Sequence, residues 1–203
     1  MKTIYWFNYT LWKKLLICFF SLRVVGREKL IEDGPVLIAS NHESFIDPPL
    51  VGIIYENPVY FLARKTLFRS FGAWLFPRMN VVPVDQERPD MTSLKTIIKL
   101  LRNKNRVVIF PEGSRTLDGS LQPAEAGTGL IVAKTKATVQ PVRIFGAREA
   151  LPRGSAKVSF CPITIVVGDP ITFTPEELKA KGRDGYQKIS DRIMEEIAKI
   201  EMP

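Results

Sequence analysis

A histidine and an aspartate five residues apart, His42 and Asp47, are the pair in this sequence best suited to acid–base chemistry. They follow an apolar run at 36–39 whose β-branched and aliphatic residues predict a short buried strand. The Asp47-Pro48 step predicts that Asp47 caps the start of a helix. Both side chains would then lie in the bend between strand and helix. There Asp47 could accept a hydrogen bond from one imidazole nitrogen and leave the other nitrogen free as a base.

His42 is the only histidine of the chain, so any histidine-based chemistry depends on it. On these two residues alone, an ordinary loop hydrogen bond is an equal alternative. Three sequence blocks favour catalysis. Residues 41–48 (NHESFIDP) resemble the Asn-His-x-Ser-x-x-Asp motif of the glycerolipid acyltransferases, the 1-acylglycerol-3-phosphate acyltransferase family. Residues 110–116 (FPEGSRT) resemble its Phe-Pro-Glu-Gly-Thr-Arg-Ser block, and residues 139–142 (VQPV) resemble its Val-Ile-Pro-Val block. The resemblance extends over about 26–146.

This resemblance implies an O-acyltransferase that moves a fatty acyl group from acyl-CoA or acyl carrier protein to the free hydroxyl of a lysophospholipid. The favoured acceptor is 1-acylglycerol-3-phosphate, giving phosphatidic acid. It implies that His42 removes the hydroxyl proton, while Asp47 fixes the imidazole tautomer and stabilises the imidazolium. A thioester is already activated, so we expect no covalent enzyme intermediate. We also expect no metal and no cofactor. The oxyanion donors would be backbone N–H groups after Asp47 or around Gly113.

The second block is the candidate acceptor site. Glu112, Gly113, Ser114 and Arg115 follow a predicted strand, and ligands of α/β sheets bind outside the carboxyl ends of the strands. Gly113 allows close backbone approach, and Arg115 can form a forked contact with a phosphate. By resemblance, this block binds the glycerol phosphate of the acceptor. The alternative is a surface turn with an exposed arginine.

Three more basic residues are candidate phosphate ligands. Arg64 and Lys65 end the second predicted strand and resemble the family's basic pair between its first two motifs; solvated surface residues are an equal alternative. The family's second motif has an arginine directly after an aspartate, whereas Gln86 follows Asp85 here. Arg88 is the nearest cation. Either Arg88 replaces the motif arginine or this phosphate contact is lost.

Other functions stay open. The nearest is the same chemistry on another lysolipid. A thioester or ester hydrolase would be expected to carry a nucleophilic serine in a Gly-x-Ser-x-Gly elbow, which the sequence does not contain. A non-catalytic lipid-binding module would not need His42 and Asp47 together.

The bulk composition limits the partners. The chain of 203 residues is 45% hydrophobic, which suits one globular domain with a sizeable core. Its net charge of +8 indicates an anionic partner such as an acidic membrane surface or a phosphorylated substrate. We find no nucleic-acid motif, which argues against nucleic acid. Cys18 and Cys161 are far apart and flanked by apolar residues, so we expect buried free thiols in a reducing compartment.

The amino-terminal segment, 1–25, is apolar and aromatic but contains Lys13 and Lys14. It is long enough to span a bilayer. Aromatic rings beside lysines are more typical of the headgroup boundary, so we predict an interfacial helix or helical hairpin. The enzyme would then be peripheral or monotopic on the cytoplasmic face of the cell membrane. A plain core helix is the alternative, and the basic pair argues against a cleaved signal peptide.

Residues 26–203 are predicted to form the acyltransferase domain. Apolar runs that alternate with segments of helical periodicity predict an α/β fold, a layered sheet flanked by helices. A capping box at Thr174–Glu177 is predicted to open the last helix. The predicted strands are 36–39, 58–63, 81–84, 107–110, 138–145 and a long β-rich run at 157–167. The main predicted helices are 66–76, 92–102 and 129–136.

Overall fold

A twisted sheet of mainly parallel strands forms the centre of the computed structural model, which describes residues 2–84 and 91–203. Its strands are β1 (Arg23–Val25), β2 (Val36–Ser40), β3 (Phe61–Arg64), β4 (Val81–Val84), β5 (Arg106–Ile109), β6 (Thr138–Phe145) and β7 (Thr164–Val167). Five of them are ordered β1-β7-β6-β2-β5, and only the β6–β7 pair is antiparallel. Strands β3 and β4 form a parallel pair that a bridge from Tyr60 to Val107 joins to β5. The carboxyl ends of β2, β3 and β5 therefore lie at one edge of the sheet.

Helices cover both faces of this sheet. They are α1 (Lys2–Phe20), α2 (Asp47–Gly52), α3 (Phe71–Leu75), α4 (Met91–Arg102), α5 (Ala126–Thr135), α6 (Ala147–Ala150), α7 (Pro175–Leu178) and α8 (Gly182–Lys199). Helices α1 and α2 pack on one face, and α4, α5 and α8 pack on the other. The predicted layered α/β domain is confirmed.

Strand β2 is buried on both faces. Val36 and Ile38 join the core beneath α1 and α2, whereas Leu37 and Ala39 join the core beneath α4, α5 and α8. Successive side chains of a strand point to opposite faces, so a strand covered on both sides must be apolar throughout. This explains why the sequence shows a continuous apolar run directly before the His42 loop.

The amino-terminal segment contains one helix, α1, rather than a hairpin. Its inner face buries Tyr5, Leu16 and Phe20, and the hydroxyl of Tyr9 donates a hydrogen bond to the carbonyl of Ile53 at 3.1 Å. The helix ends at Phe20. Residues 23–25 of the predicted 1–25 segment are strand β1, which pairs with β7, so this segment also contributes to the sheet of the domain.

The outer face of α1 exposes large apolar side chains, among them Phe7, Leu11 and Ile17. None of the helices within the two described ranges combines the length and apolarity needed to cross a bilayer. Both cysteines are free, as expected. The prediction that both are buried is wrong, because Cys18 lies on the exposed side of α1 and Cys161 is only half-buried.

Two local predictions differ from the structure. The helix predicted at 66–76 is broken into a 3-10 turn (Lys65–Leu67), α3 and a second 3-10 turn (Phe76–Met79), because Ser70 adopts a positive φ of 47° that helical residues do not adopt. Within the predicted β-run at 157–167, only β7 pairs in the sheet. Pro162 has no N–H and cannot donate to a sheet ladder. The predicted capping box at Thr174 is confirmed, although it opens the separate short helix α7.

Candidate active site

The imidazole of His42 and the carboxylate of Asp47 meet in the loop between β2 and α2. Nδ1 of His42 lies 2.8 Å from Oδ2 of Asp47. The same oxygen accepts hydrogen bonds from the backbone N–H groups of Glu43 and Ser44, each at 2.7 Å. The side chain of Asp47 is fully buried. The loop therefore wraps around one carboxylate oxygen and holds the imidazole against it.

Asp47 is not the helix cap that the sequence predicts. Helix α2 begins at Asp47 itself, with Ile46 as its cap residue and no side-chain capping bond. A capping side chain accepts from the N–H of the second or third helical residue. If Asp47 were the cap, the second of these would be Pro49, which has no N–H, and the third, Leu50, already donates to the carbonyl of Ile46. The carboxylate turns back to the loop instead.

The other contacts of the His42 ring determine which of its nitrogens is free. The ring stacks on Phe110, with ring centroids 4.0 Å apart and an angle of 15° between the planes. The side chain is 17% exposed, and none of the described residues hydrogen bonds Nε2. Nε2 is therefore the ring nitrogen that an incoming molecule can reach.

Glu112 joins the second sequence block to the first. Its Oε1 accepts the backbone N–H of His42 at 2.8 Å, and its Oε2 accepts the N–H of Gln122 at 3.0 Å. The N–H of Thr116 donates in return to the carbonyl of His42 at 2.8 Å. Burial raises the pKa of Glu112, while the hydrogen bonds that its carboxylate accepts from the N–H groups of Gln122 and His42 lower it. Glu112 thus positions the backbone of His42. Its predicted role in binding the acceptor stays a prediction.

A second carboxyl, that of Glu43, lies beside Asp47. Burial, followed by the charge of Asp47, raises the pKa of Glu43 to about 7. Its Oε1 accepts the side-chain N–H of Asn41 at 2.9 Å, and the backbone N–H of Arg148 acts to lower its pKa. Asn41 in turn donates to and accepts from the backbone of Ile144 on β6. This polar network attaches the loop to β6.

The loop after β5 brings Gly113, Ser114 and Arg115 to the same edge as His42. Gly113 has a φ of 69°, a left-handed conformation that favours glycine, and an added Cβ would lie 3.2 Å from the side chain of Glu125. Ser114 is exposed. No described residue accepts a hydrogen bond from the N–H of Ser114 or of Arg115, whereas the N–H of Gly113 donates to the carbonyl of Phe110.

Cations gather around this loop. Burial lowers the pKa of Arg115, and the neighbouring charges of Arg153 and Arg64 lower it further. Arg64 ends β3, and Lys65 follows in a 3-10 turn at the same edge of the sheet. The structure thus brings Arg64 near Arg115, as the parallel arrangement predicted. Arg88, together with Gln86, lies outside the described residues, and its role as a phosphate ligand stays a prediction.

Sequence reasoning missed a third segment of the site, 151–153, which follows α6. The hydroxyl of Ser44 donates to the carbonyl of Leu151 at 2.7 Å, and Ser44 forms an isolated bridge with Pro152. Arg153 donates from Nη1 to the carbonyl of Arg115 at 2.6 Å. No sequence pattern indicated this segment, because it follows the recognisable blocks. Its position depends on the return of the chain from β6.

The α/β domain carries a His–Asp pair at the carboxyl edge of its parallel strands, and its single histidine is the candidate base. A family model described as acyltransferase matches residues 21–145. The chain is 30% identical over 157 residues to a 1-acyl-sn-glycerol-3-phosphate acyltransferase of Bacillus subtilis, and the match covers 74% of each chain. It is 29% identical to a chloroplastic 1-acyl-sn-glycerol-3-phosphate acyltransferase of Arabidopsis thaliana, over 79% of this chain and 47% of that one. The chain therefore spans about half the length of this plant relative.

The fold has a counterpart of known structure. The crystal structure of the 1-acyl-sn-glycerophosphate (LPA) acyltransferase PlsC from Thermotoga maritima superposes with a TM-score of 0.73 at 25% sequence identity. This superposition covers 100% of the present chain and 81% of the other. The chain belongs to the acyltransferase family and is an enzyme of that type.

Proposed function

We propose that the protein is a membrane-associated 1-acylglycerol-3-phosphate O-acyltransferase that forms phosphatidic acid from an acyl thioester. The observation that carries the proposal is the 2.8 Å contact of His42 Nδ1 with the buried Asp47, which leaves Nε2 without a partner among the described residues. Arg115 follows β5 and Arg64 ends β3, and both strands end at the same edge of the sheet. Relatives from Bacillus subtilis and Arabidopsis thaliana carry the name of this activity. The donor is acyl-CoA or acyl carrier protein.

In this mechanism Nε2 of His42 takes the proton of the acceptor hydroxyl as its oxygen attacks the thioester carbonyl. Asp47 accepts the Nδ1–H bond, keeps the tautomer with a basic Nε2 and stabilises the imidazolium. The tetrahedral intermediate then expels the thiolate, which receives the proton from the imidazolium. The new ester bond replaces the broken C–S bond, and no group of the enzyme is acylated.

The oxyanion needs N–H donors that the fold has not already used. The start of α2 provides none, because Pro48 and Pro49 have no N–H and that of Leu50 is bonded. Glu43 and Ser44 donate to Asp47. We therefore assign the oxyanion to the free N–H groups of Ser114 and Arg115, and the acceptor phosphate to the side chains of Arg115, Arg64 and Lys65. The charge-assisted bonds that these cations offer suit a phosphate.

The surface of α1 supports the proposed membrane association. Six large apolar side chains of α1 are exposed, and Lys13 and Lys14 lie among them. Apolar and basic groups on one surface bind anionic bilayers by burial and charge together. The enzyme would thus meet its lipid acceptor at the bilayer surface on the cytoplasmic side. The six side chains are Trp6, Phe7, Leu11, Leu15, Ile17 and Phe19.

A panel of lysolipid acceptors tests the activity. Purified wild type and His42→Ala are assayed with two labelled donors, acyl-CoA and the acyl thioester of acyl carrier protein. The acceptors are 1-acylglycerol-3-phosphate, 1-acylglycerol and zwitterionic lysolipids. We expect the highest kcat/KM on 1-acylglycerol-3-phosphate and a loss of about 10²- to 10⁴-fold in His42→Ala. Wild-type turnover by His42→Ala would overturn the mechanism, and a preference for a zwitterionic acceptor would overturn the assigned substrate.

The hydrolase alternative loses support at Ser44, the serine nearest to the catalytic pair in sequence. Ser44 is fully buried, and its hydroxyl is bonded to the carbonyl of Leu151 rather than to His42. The hydroxyl therefore cannot attack a substrate without breaking the loop. Release of free fatty acid in the absence of acceptor, measured in the same panel, reports any hydrolysis.

A further inference from the structure

We propose that Arg153 is a specificity-determining residue that binds the phosphate of the acceptor together with Arg115. This inference rests on the proposed function and adds to it a ligand from outside the three sequence blocks. The 151–153 segment would then connect acceptor recognition to the loop that holds His42. Three observations carry the inference: the attachment of the segment, the position of the guanidinium, and the charge around it.

The segment is attached to the catalytic loop. The hydroxyl of Ser44 donates to the carbonyl of Leu151 at 2.7 Å, and Ser44 forms an antiparallel bridge with Pro152. Ser44 also donates its N–H to Asp47. One buried serine thus fixes both the carboxylate partner of His42 and the residue pair that precedes Arg153. The backbone of Arg153 is therefore placed by the same residue that orders the catalytic pair.

The guanidinium of Arg153 lies beside the loop that follows β5, which contains Arg115. Its Nη1 donates to the carbonyl of Arg115 at 2.6 Å. A guanidinium has five N–H donors in a planar fork, so one bond to a carbonyl leaves donors for a second partner. The charge is close enough to the side chain of Arg115 to lower the pKa of that group. Two guanidinium groups are therefore close enough to share one anion.

The charge of this cluster is not neutralised within the described part of the chain. Among residues 2–84 and 91–203, Arg64, Arg115 and Arg153 form no ion pair with a carboxylate. The charge of Asp47 acts on the pKa of Arg115 in the opposite direction, with less effect than either neighbouring arginine. Like charges held together cost free energy unless an anion separates them. A phosphate monoester fits this need because it offers several oxygens to forked donors.

A purely structural role is the rival account, in which Arg153 only ties two loops through the carbonyl of Arg115. Charge and hydrogen bonding can be separated by substitution. Arg153→Lys keeps the charge, Arg153→Gln keeps N–H donors without charge, and Arg153→Ala removes both. Arg183→Ala is the matched control, because Arg183 is an exposed arginine at the start of α8 and takes no part in the site.

Each variant is assayed at saturating donor with 1-acylglycerol-3-phosphate and with 1-acylglycerol, which has no phosphate. We expect the preference for the phosphate-bearing acceptor, as a ratio of kcat/KM values, to fall about 10- to 100-fold in Arg153→Ala and Arg153→Gln. Arg153→Lys should recover part of it, and Arg183→Ala should match wild type. Recovery by Arg153→Gln, or an equal loss on both acceptors, would show a structural role and overturn the proposal.

A binding measurement separates this proposal from the proposed function. Glycerol 3-phosphate is titrated calorimetrically into wild type, Arg153→Ala and Arg183→Ala at low ionic strength. We expect the affinity to weaken about 10- to 100-fold in Arg153→Ala alone. Equal affinity in all three proteins overturns the role of Arg153 even if the wild type is active. If the wild type does not acylate 1-acylglycerol-3-phosphate, the proposed function fails while this titration still decides the anion site.

Discussion

The carboxylate of Glu112 accepts the backbone N–H of His42 at 2.8 Å, across 70 residues of sequence. The two residues belong to different sequence blocks, and each follows a different parallel strand of the sheet. Since the other oxygen of Glu112 accepts the N–H of Gln122, one side chain fixes the backbone of the histidine and the far end of the loop that follows β5. The second block thus supports the backbone of His42 and is also a candidate binding loop.

Glu112→Gln should therefore damage the position of His42. An amide has one acceptor oxygen, so either His42 or Gln122 would lose its bond and meet an NH₂ group. We expect a loss of about 1–3 kcal/mol in the free energy of unfolding, measured in urea, together with a lower kcat. Gln122→Ala is the matched control because it retains the backbone N–H. Full kcat and stability in Glu112→Gln would contradict the supporting role.

Asp47→Asn should remove the negative charge of Asp47 while keeping the hydrogen bonds that hold the loop. The loop donors converge on Oδ2, whereas Oδ1 has no hydrogen-bond partner among the described residues. An asparagine can place its oxygen at the Oδ2 position and its NH₂ group at the Oδ1 position. We expect a folded protein with kcat reduced about 10²- to 10⁴-fold, because a neutral amide stabilises the imidazolium poorly.

Asp47→Ala is the comparison for that variant. It leaves the N–H groups of Glu43 and Ser44 buried without an acceptor and should unfold at lower urea concentration than Asp47→Asn. Circular dichroism and steady-state kinetics on both variants check this prediction. Equal activity of Asp47→Asn and wild type would show that the charge of Asp47 is not used.

The raised pKa of Glu43 predicts that stability depends on pH. Burial and the charge of Asp47 raise this pKa to about 7 in the folded protein. Between the unfolded pKa near 4.5 and this value, the folded state holds a proton that the unfolded state has released. The wild-type free energy of unfolding should therefore fall as pH rises through that window.

Glu43→Gln removes the titrating group but keeps an acceptor oxygen for Asn41. We expect this variant to lose less stability than wild type between pH 5 and 7, measured by urea unfolding at each pH. The difference between the two proteins should reach a plateau above the folded pKa. Parallel stability curves would show that Glu43 has an ordinary pKa in the folded state.

Cys18 offers a direct probe of the membrane proposal. It lies on the exposed side of α1, whereas Cys161 is half-buried and its pKa is raised by burial. We expect a maleimide to label Cys18 rapidly in solution and more slowly after anionic vesicles are added. Cys18→Ser is the control, because the labelling that it loses is the labelling of Cys18. Unchanged labelling of Cys18 with the protein fully bound to vesicles would show that α1 does not contact the bilayer.

The sequence by itself determined the layered α/β class, because the spacing of apolar residues differs between the strand segments and the helix segments. Strands β4 and β6 occur where their β-branched runs predicted them, and α4 differs from its prediction by one residue. The sequence also identified the His42–Asp47 pair and the loop around Arg115. All of these signals lie within a few neighbouring residues, which is the range over which propensity and motif patterns carry information.

Tertiary structure decided what depends on residues far apart in the chain. The direction of the Asp47 side chain, the support of His42 by Glu112 and the arrival of Arg153 beside Arg115 each depend on a contact across the fold. The same is true of α1, whose composition suits a bilayer surface but whose inner face packs on the domain core. Local patterns predict these elements, but burial and hydrogen bonding with distant partners determine how their side chains are used.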